Sequence, residues 1–475
     1  MSTTSTPLLP QQRPLAEVVD IVSGFGFPKE LQGKPKGDLP FFKVGDISIA
    51  WNSGQKNLTQ AQHYLDQAEA SSIRAKAFPK GTVVFAKIGE AIRLNRRAIL
   101  GQPSIVDNNV MGLIPKEEIV DPTYLFYWSL MLRLGDISQA TTVPSVRKSD
   151  VEQLSFPWLS LDQQKRIVAE IEKHTSRLDE AVANLKRVKA NLKRYKAAVL
   201  KAAVEGRLVE TDAELARREG RSYETGEQLL QRILETHRSQ WQGKGKYKEP
   251  AAPDTTDLPE LPEGWVWVSL RSLGNVIGGL TKNPKRATLK KKLPYLRVAN
   301  VYANELRLDE IEEIGVDDSE LEKLLVHKGD LLIVEGNGSP DQIGRLAIWN
   351  GSISPCVHQN HLIKARLHWA CAPDWVMSWL MSPDGRDHVR NVASSTSGLY
   401  TLSVGKVSGL PIPLPPEAEQ HRIVAEVDCR LSLVRETEAQ VDANLLRAER
   451  LRQSLLSRAF TGGLCPVHER MEAAA

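Results

Sequence analysis

The octapeptide QKRIVAEI at residues 164–171 recurs as QHRIVAEV at residues 420–427. Six of the eight positions are identical at an offset of 256. The same offset holds without a gap from Pro157/Pro413 to Leu208/Leu464. A long gapless self-match of this kind indicates that one supersecondary unit is present twice in the chain.

Both octapeptides begin a long helical pattern. From Ile167 to Ala202, apolar residues follow one another at alternating spacings of four and three, which predicts a coiled-coil seam. Equal lengths and the gapless offset predict that helices over 164–205 and 420–461 pair antiparallel. The second seam is interrupted at Arg430, Thr437 and Asn444. These polar residues either fix the register of pairing or turn towards solvent, and both interpretations stay open.

The composition is that of a globular protein. The 475 residues are 41% hydrophobic and 25% charged, with a net charge of +4, so any contact with nucleic acid must come from local basic patches. No apolar run approaches the ~18 residues of a membrane span, and the first residues lack the features of a signal peptide. The four cysteines, without CxxC spacing, indicate a reducing, cytoplasmic setting.

The remaining segments read as two mixed α/β regions. Short β-branched runs at 82–85 and 331–334 end in glycine or polar turns, which is typical of strands. The predicted fold class is therefore two repeated α/β globular domains joined by two long antiparallel coiled-coil helices. The predicted segments are a first domain at 1–157, a first long helix at 158–208, a linker with short helices at 209–262, a second domain at 263–414, and a second long helix with a C-terminal tail at 415–475.

This organisation resembles the specificity subunit of type I restriction-modification enzymes. The resemblance covers essentially the whole chain. It rests on the duplicated globular-plus-helix order, on the helix starts at Gln164 and Gln420, and on the sequence LPEGW at residues 261–265. It implies that each globular domain is a target recognition domain, that the long helices are a spacer, and that the chain has no catalytic site.

The same resemblance implies partners and cofactors. The expected partners are double-stranded DNA with a bipartite target, two methyltransferase subunits, and restriction/translocase subunits. S-adenosylmethionine, ATP and Mg²⁺ would then be bound by those partner subunits and not by this chain. DNA methylation by the assembled complex is the implied activity.

Motifs for catalysis are weak in this sequence. No G-x-x-x-x-G-K-[ST] loop occurs, so ATP hydrolysis by this chain is not expected. Residues 121–124 (DPTY) resemble the Asp/Asn-Pro-Pro-Tyr motif of amino-methyltransferases, but the second proline is missing. A helix start, with Asp121 as the cap and Pro122 in the first turn, is the favoured interpretation. At residues 335–338 (EGNG) we expect a backbone turn, with contact to a DNA phosphate or base as the alternative.

One group of residues has the chemistry of metal ligands but not the spacing. The group comprises Cys356, His358, His361, His368 and Cys371. Their spacing fits no standard zinc pattern, and the first copy has Ser104, Val106 and Asn109 at the equivalents of the first three. We therefore expect no metal site.

Candidate DNA contacts are Arg, Lys, Asn, Gln, Ser and Thr on loops, because these side chains pair with base edges and phosphates. In the first domain they are Lys34, Lys36, Arg93, Asn95, Arg96, Arg97, Thr141, Thr142, Ser145, Arg147 and Lys148. In the second domain they are Lys282, Lys285, Arg286, Asn337, Ser339, Gln342, Arg345, Thr396 and Tyr400. Both copies place such residues after the same strand and again before the long helix, which indicates a reading surface. The different side chains predict different half-sites.

Two other classes of function remain as alternatives. The first is a fused DNA methyltransferase or nuclease, and the second is a coiled-coil scaffold that binds only protein. The missing catalytic motifs argue against the first. Binding to specific and random duplexes separates the second from a DNA-reading subunit.

Overall fold

The computed structural model describes residues 10–139, 143–241, 245–368, 372–396 and 398–463. The chain divides into two units. The first unit comprises residues 1–186 and 442–475, and the second unit comprises residues 187–441. Each unit contains one α/β region and parts of both long helices.

The first unit alternates short strands and short helices before the first long helix. In chain order its elements are β1 (Gln11–Pro14), α1 (Leu15–Val18), β2 (Val19–Ser23), β3 (Leu39–Phe42), α2 (Val44–Asn52), β4 (Asn57–Leu58), β5 (His63–Leu65), α3 (Gln67–Ser72), β6 (Val83–Ala86), β7 (Arg97–Leu100), β8 (Ile105–Val106), β9 (Val110–Pro115), α4 (Pro122–Ser129), α5 (Lys148–Glu152), β10 (Ser155–Trp158) and α6 (Leu161–Val204), of which the part up to residue 186 belongs to this unit.

The second unit follows the same plan and adds elements. After the end of α6, its elements in chain order are α7 (Asp212–Glu219), α8 (Gly226–Ser239), β11 (Val266–Ser269), α9 (Leu270–Leu273), β12 (Gly274–Ile277), α10 (Pro284–Ala287), β13 (Lys292–Leu296), β14 (Val301–Tyr302), β15 (Glu305–Leu306), β16 (Glu312–Gly315), α11 (Asp318–Leu324), β17 (Leu331–Val334), β18 (Gly336–Asn337), β19 (Leu346–Ile348), β20 (Val357–His358), β21 (Leu362–Leu367), α12 (Pro373–Met381), α13 (Pro383–Val392), β22 (Ser394–Thr396), β23 (Leu399–Thr401), α14 (Val404–Ser408), β24 (Pro411–Leu414) and α15 (Glu417–Phe460), of which the part up to residue 441 belongs to this unit.

The sheets repeat from one unit to the other. The first unit has the strand orders β2-β9-β6-β7-β4, β5-β3-β8 and β1-β10. The second unit has the corresponding orders β12-β21-β17-β19, β16-β13-β20 and β11-β24. Because β6 pairs Phe85 with Arg97 and β17 pairs Ile333 with Leu346, the two units can be matched residue by residue.

The long helices run antiparallel within each unit. In the first unit, Ile167 and Ile171 near the start of α6 share a core with Leu456 and Phe460 at the end of α15. In the second unit, residues 199–204 at the end of α6 share a core with residues 423–431 near the start of α15. Start meets end both times, which confirms the predicted antiparallel pairing.

The polar interruptions of the second seam differ in their exposure. Asn444 is exposed, and Arg430 is half-buried and pairs with Glu426 on its own helix. Apolar neighbours such as Leu431 and Val434 fill the packed positions instead. The solvent-facing interpretation is therefore confirmed for Asn444, whereas Arg430 and Thr437 are half-buried.

The recurring octapeptide is explained by its glutamine. Gln164 is fully buried, and its Oε1 accepts a hydrogen bond from the backbone N–H of Asp121 at 2.9 Å. In the second unit, Gln420 is also buried and accepts from the N–H of Ala372 at 3.2 Å. Both Nε2 atoms donate to backbone carbonyls. Each glutamine thus joins the first turn of a long helix to the start of α4 or α12, where the amide satisfies buried backbone groups.

The predicted helix starts and linker helices are confirmed. Asp121 accepts hydrogen bonds from the N–H groups of Thr123 and Tyr124 at 2.9 Å, and Pro122 occupies the first turn, so DPTY begins α4. α7 and α8 are short helices within the predicted linker at 209–262. None of the helices in the described ranges combines the length and apolarity that crossing a membrane requires.

Candidate nucleic-acid interface

The two stretches that the sequence analysis nominated in the first domain lie side by side. Ile88 forms a β-bridge with Ser145, and the N–H of Gly89 donates to the carbonyl of Pro144 at 2.8 Å. The N–H of Val146 donates to the carbonyl of Lys87 at 2.9 Å. Residues 87–96 and 143–148 therefore form one surface, which we call the first surface. Thr141 and Thr142 lie outside the described residues.

The second unit brings its two candidate stretches together at the same place. Gly336 pairs with Thr401 and Asn337 with Tyr400, and the N–H of Leu402 donates to the carbonyl of Glu335 at 2.8 Å. The bond from Leu402 is the counterpart of the bond from Val146 in the first unit. Residues 335–345 and 394–401, with residue 397 not described, form what we call the second surface. The backbone of Thr396 lies in β22 on this surface.

The first surface carries exposed basic side chains. Arg93 and Arg147 are exposed, and Arg96 is half-buried at the end of the loop. Lys148 is exposed at the start of α5, with its Nζ 3.7 Å from Glu152. The acidic group nearest to Arg93 is Glu90 at 3.6 Å. Because these cations face solvent, they are available to phosphates or to guanine edges.

The expectation that Arg97 lies on an exposed loop is wrong. It is the first residue of β7, and only 1% of its surface is exposed. Its guanidinium donates to the carbonyls of Ser129 and Leu132, at 3.2 and 3.1 Å, and to Oδ1 of Asn95 at 3.3 Å. Burial lowers the pKa of Arg97 to about 9, so the side chain stays cationic at neutral pH. Arg97 is thus a buried cap for the carboxyl end of α4.

Asn95 also serves the scaffold. Its Oδ1 accepts hydrogen bonds from Arg97 and from the N–H of Leu134 at 3.0 Å. Its φ of 51° lies in the left-handed region, which asparagine tolerates better than most residues. Asn95 therefore shapes the turn between the exposed part of the loop and β7, and its side-chain oxygen is already engaged.

The second surface is polar but less basic. Asn337 and Ser339 are half-buried, and Oδ1 of Asn337 accepts from the N–H of Ser339 at 2.9 Å. Gln342 is exposed. Tyr400 is half-buried and packs against the core of the unit. This surface therefore offers mainly amide and hydroxyl groups, which suit adenine and mixed base edges.

Arg345 does not project from the second surface as expected. Its guanidinium donates to the carbonyls of Val301 and Val298, at 2.8 and 3.0 Å, and lies over the ring of Tyr302 at 4.8 Å. It therefore anchors residues 298–302 to the sheet. Its counterpart in the first unit is Arg96.

The remaining lysines and arginines form a secondary group with mixed roles. Lys34 pairs with Asp66 and Glu69, at 3.1 and 3.0 Å, and the hydrogen bond to Glu69 raises the pKa of Lys34. Lys282 pairs with Glu312 at 3.0 Å. Lys36 and Lys285 are exposed.

Arg286 is the exception within this group. Its side chain is 13% exposed and donates to both carboxylate oxygens of Glu320, at 3.0 and 3.1 Å. It also donates to the carbonyl of Gly315 at 3.3 Å. The expectation of an exposed DNA contact is wrong for Arg286, because a bidentate ion pair holds its guanidinium against β16 and α11.

Sequence reasoning missed one further turn beside each surface. The carbonyl of Asn109 accepts from Lys87, and the carbonyl of His361 accepts from Glu335, both at 2.9 Å. Asn108, Asn109 and His361 are exposed, and Asn360 is half-buried. The signal in the sequence is that an asparagine directly precedes each accepting residue, Asn108 before Asn109 and Asn360 before His361. These turns add amide and imidazole groups at the edges of the two surfaces.

The group with metal-ligand chemistry is engaged elsewhere in the described residues. Nδ1 of His358 lies 2.8 Å from the carbonyl of Leu362, and burial lowers the pKa of His358 to about 4. Burial raises the pKa of the Cys356 thiol to about 12. Nδ1 of His361 lies 3.0 Å from Glu335. Within the described ranges, no three His, Cys, Asp or Glu side chains are arranged to hold a metal ion.

The family model and two known proteins that resemble this chain are specificity domains or subunits of type I restriction enzymes. The family model of the type I restriction modification DNA specificity domain matches residues 10–189. The chain is 25% identical over 337 residues to the type I restriction enzyme EcoKI specificity subunit of Escherichia coli strain K12. It is 22% identical over 456 residues to the EcoBI specificity subunit of Escherichia coli, covering 94% of this chain and 84% of that protein.

The match to the EcoKI subunit covers 70% of this chain and 62% of that protein, which is less than two thirds of its length. One solved chain, from a study of complex assembly and conformational transition of the type I R-M system, has a similar fold. It aligns with a TM-score of 0.56 at 19% identity, covering 96% of this chain and 99% of that chain.

Proposed function

Because the chain belongs to the family of type I restriction-modification specificity subunits, we propose that it is the DNA-reading subunit of such a complex. The observation that carries the proposal is the pair of equivalent surfaces. Each unit joins the same two loop segments with the same backbone hydrogen bond, from Val146 to Lys87 in one and from Leu402 to Glu335 in the other. We call this shared backbone arrangement of the two loop segments the frame. A frame that is repeated with different side chains suits a bipartite target.

The recognition domains are assigned to residues 1–157 and 263–414, with the first and second surfaces facing the two half-sites. Direct readout needs exposed donors and acceptors on rigid supports, and both surfaces meet this requirement because they leave the buried strands β6 and β17. Arg93, Arg96 and Arg147 would supply the first half-site's contacts. Asn337 and Gln342 would supply those of the second.

The chain itself performs no reaction, as specificity subunits of this family are non-catalytic. We propose that two methyltransferase subunits and restriction/translocase subunits assemble with it in the cytoplasm. Those partners would bind S-adenosylmethionine, ATP and Mg²⁺. Neither alternative, a fused methyltransferase or nuclease or a protein-only scaffold, is supported by the family comparison.

Binding and methylation measurements test this function. The target is first identified by sequencing the methylated bases of the source genome. The chain, with and without its methyltransferase subunits, is then titrated with target and scrambled duplexes. We expect specific binding to exceed non-specific binding by roughly 10³-fold or more in the assembled complex. Equal affinity for both duplexes would contradict a reading function.

Calorimetry tests which subunits bind S-adenosylmethionine. The purified chain should show no heat of binding with S-adenosylmethionine, whereas the assembled complex should bind it. Binding of this cofactor at micromolar affinity by the chain alone would favour the fused methyltransferase.

A further inference from the structure

A group of exposed aliphatic side chains lies among the basic residues of the first surface. Ile88 is 39% exposed, Leu94 is 52% exposed and Val143 is 54% exposed. Ile88 and Leu94 belong to the loop 87–96, and the bridge between Ile88 and Ser145 brings the segment of Val143 beside it. We call these three residues the aliphatic patch. Single exposed apolar residues need no explanation, but three on one charged surface do.

The second surface has an exposed aliphatic residue at an equivalent position. The bridge from Ile88 to Ser145 corresponds to the pairing of Gly336 with Thr401. Val143 lies two residues before Ser145, and Leu399 lies two residues before Thr401. The two aliphatic residues therefore occupy equivalent positions. Leu399 is 48% exposed. An exposed aliphatic side chain therefore recurs at one point of the frame, although the polar residues around it differ.

We propose that the aliphatic patch and Leu399 contact thymine C5-methyl groups in the major groove of the two half-sites. The inference rests on the proposed function, because it requires that both surfaces face DNA. The C5-methyl of thymine is the apolar group that an unmodified base pair presents in the major groove. An aliphatic side chain that covers it removes both from water, which favours thymine over every base without a methyl group.

The charge around the patch identifies the occupant as nucleic acid. Arg93, Arg147 and Lys148 are exposed beside the three aliphatic residues. Cations of this kind attract a polyanion and release its counterions. The patch would then reach the base edges once the phosphates on either side are held. On the second surface, Leu399 adjoins Tyr400, which pairs with Asn337 and Ser395, so polar groups that suit base edges lie next to the aliphatic side chain.

Replacing thymidine by deoxyuridine tests the proposal, because the two nucleosides differ only in the C5-methyl group. Deoxyuridine keeps Watson–Crick pairing and removes only the methyl group. Each thymine of the methylated motif is replaced in turn, on both strands, and the affinity of the assembled complex is measured. We expect at least one position in each half-site where the affinity falls about fourfold, the effect of one buried methyl group at roughly 0.8 kcal/mol.

Two matched variants assign each methyl contact to its side chains. In the variant Ile88→Ala/Leu94→Ala/Val143→Ala, the difference between thymine and deoxyuridine should disappear in the first half-site and persist in the second. In Leu399→Ala the pattern should be reversed. All four side chains are exposed, so both variants should keep the unfolding midpoint of the wild type, which thermal denaturation checks.

Several outcomes would overturn the inference. One is a motif in which either half-site contains no thymine on either strand. Another is full affinity for every deoxyuridine duplex, or variants that keep the thymine preference. Loss of methyltransferase binding with an unchanged thymine preference would assign the patch to a protein contact instead. Failure of the wild type to prefer its motif over a scrambled duplex would refute the proposed function itself, and the inference with it.

Discussion

The first and second surfaces share a backbone frame but differ in the chemistry they present. The first is basic and aliphatic, with Arg93, Arg147 and Leu94 exposed, whereas the second presents amides and hydroxyls such as Gln342 and Ser339. The frame repeats because its backbone groups satisfy one another's hydrogen bonds. Loop side chains meet no such constraint, so they can differ without changing the fold.

The interiors of the two units differ as well, at positions where a polar residue in one matches an apolar residue in the other. Buried Arg97 of the first unit corresponds to Leu346 of the second. Conversely, buried His358 of the second unit corresponds to Val106 of the first, since each follows the same parallel pairing. Each unit thus carries a buried polar group that its counterpart does without, and this predicts different responses to mutation and pH.

The largest effect is expected from Arg97→Leu, which gives the first unit the residue of the second. The substitution leaves the carbonyls of Ser129 and Leu132 without their donor, and we expect the first unit to lose about 2–4 kcal/mol of stability. The second unit does not need this cap, because α12 is followed directly by α13, and the N–H of Ser382 donates to the carbonyl of Trp379 at 2.9 Å. Hydrogen–deuterium exchange of the α4 amides measures the loss. Arg96→Leu, at a half-buried neighbour, is the matched control and should be nearly neutral.

The second effect is an acid sensitivity that His358 gives to the second unit. Burial lowers the pKa of His358 to about 4, whereas an unfolded histidine titrates near 6.5. In this pH range the imidazole of His358 is protonated in the unfolded chain but neutral in the folded unit. The free energy of unfolding therefore falls as the pH decreases from about 6.5 to about 4. At about 1.4 kcal/mol per pKa unit, the loss reaches roughly 3 kcal/mol. Denaturant titrations at several pH values should show that His358→Val, which copies Val106, reduces this dependence; an unchanged dependence would show that another group causes it.

The third effect separates the two surfaces by their DNA contacts. Arg93→Ala/Arg96→Ala should weaken binding by about 1–3 kcal/mol if the arginines pair with bases, and should then relax only the first half-site. Contacts to phosphate would instead weaken binding to all sequences and reduce its salt dependence. Asn337→Ala/Gln342→Ala is the reciprocal variant for the second half-site. Methylation motifs of the mutant complexes decide between these outcomes, and unchanged motifs with unchanged affinity would show that the first surface does not face DNA.

The smallest effect is expected at the ion-paired lysines Lys34 and Lys282. Each already has carboxylate partners at the surface, so its removal should leave the unfolding midpoint unchanged. Any loss of DNA affinity should vanish at high salt. It would come only from the long-range attraction between the lysine charge and the DNA phosphates, which salt screens. Titration of Lys34→Ala and Lys282→Ala at two salt concentrations measures this. A loss that persists at high salt would place these lysines in direct contact with DNA.

Much of the fold could be read from the sequence because it depends on periodic burial. The alternating four–three spacing indicated α6 and α15, and the internal repeat indicated two similar α/β regions. The start of α4 at Asp121 followed from local capping chemistry. The octapeptide was recognised as a repeat, but its reason, a buried glutamine that joins two helix starts, depends on contacts across more than 40 residues.

The repeat, the antiparallel helices, the resemblance to a family and the two loop stretches that meet on each surface could all be predicted from the sequence alone. Which cations of those stretches face solvent depends on the tertiary contacts. Arg93 and Arg97 are four residues apart in a basic run, yet the first is exposed and the second is buried beneath α4. Arg286 and Arg345 likewise bind carboxylate or carbonyl groups inside their unit. A charge in a loop can satisfy backbone carbonyls as well as phosphates, and the choice depends on unpaired acceptors that distant segments bring to it.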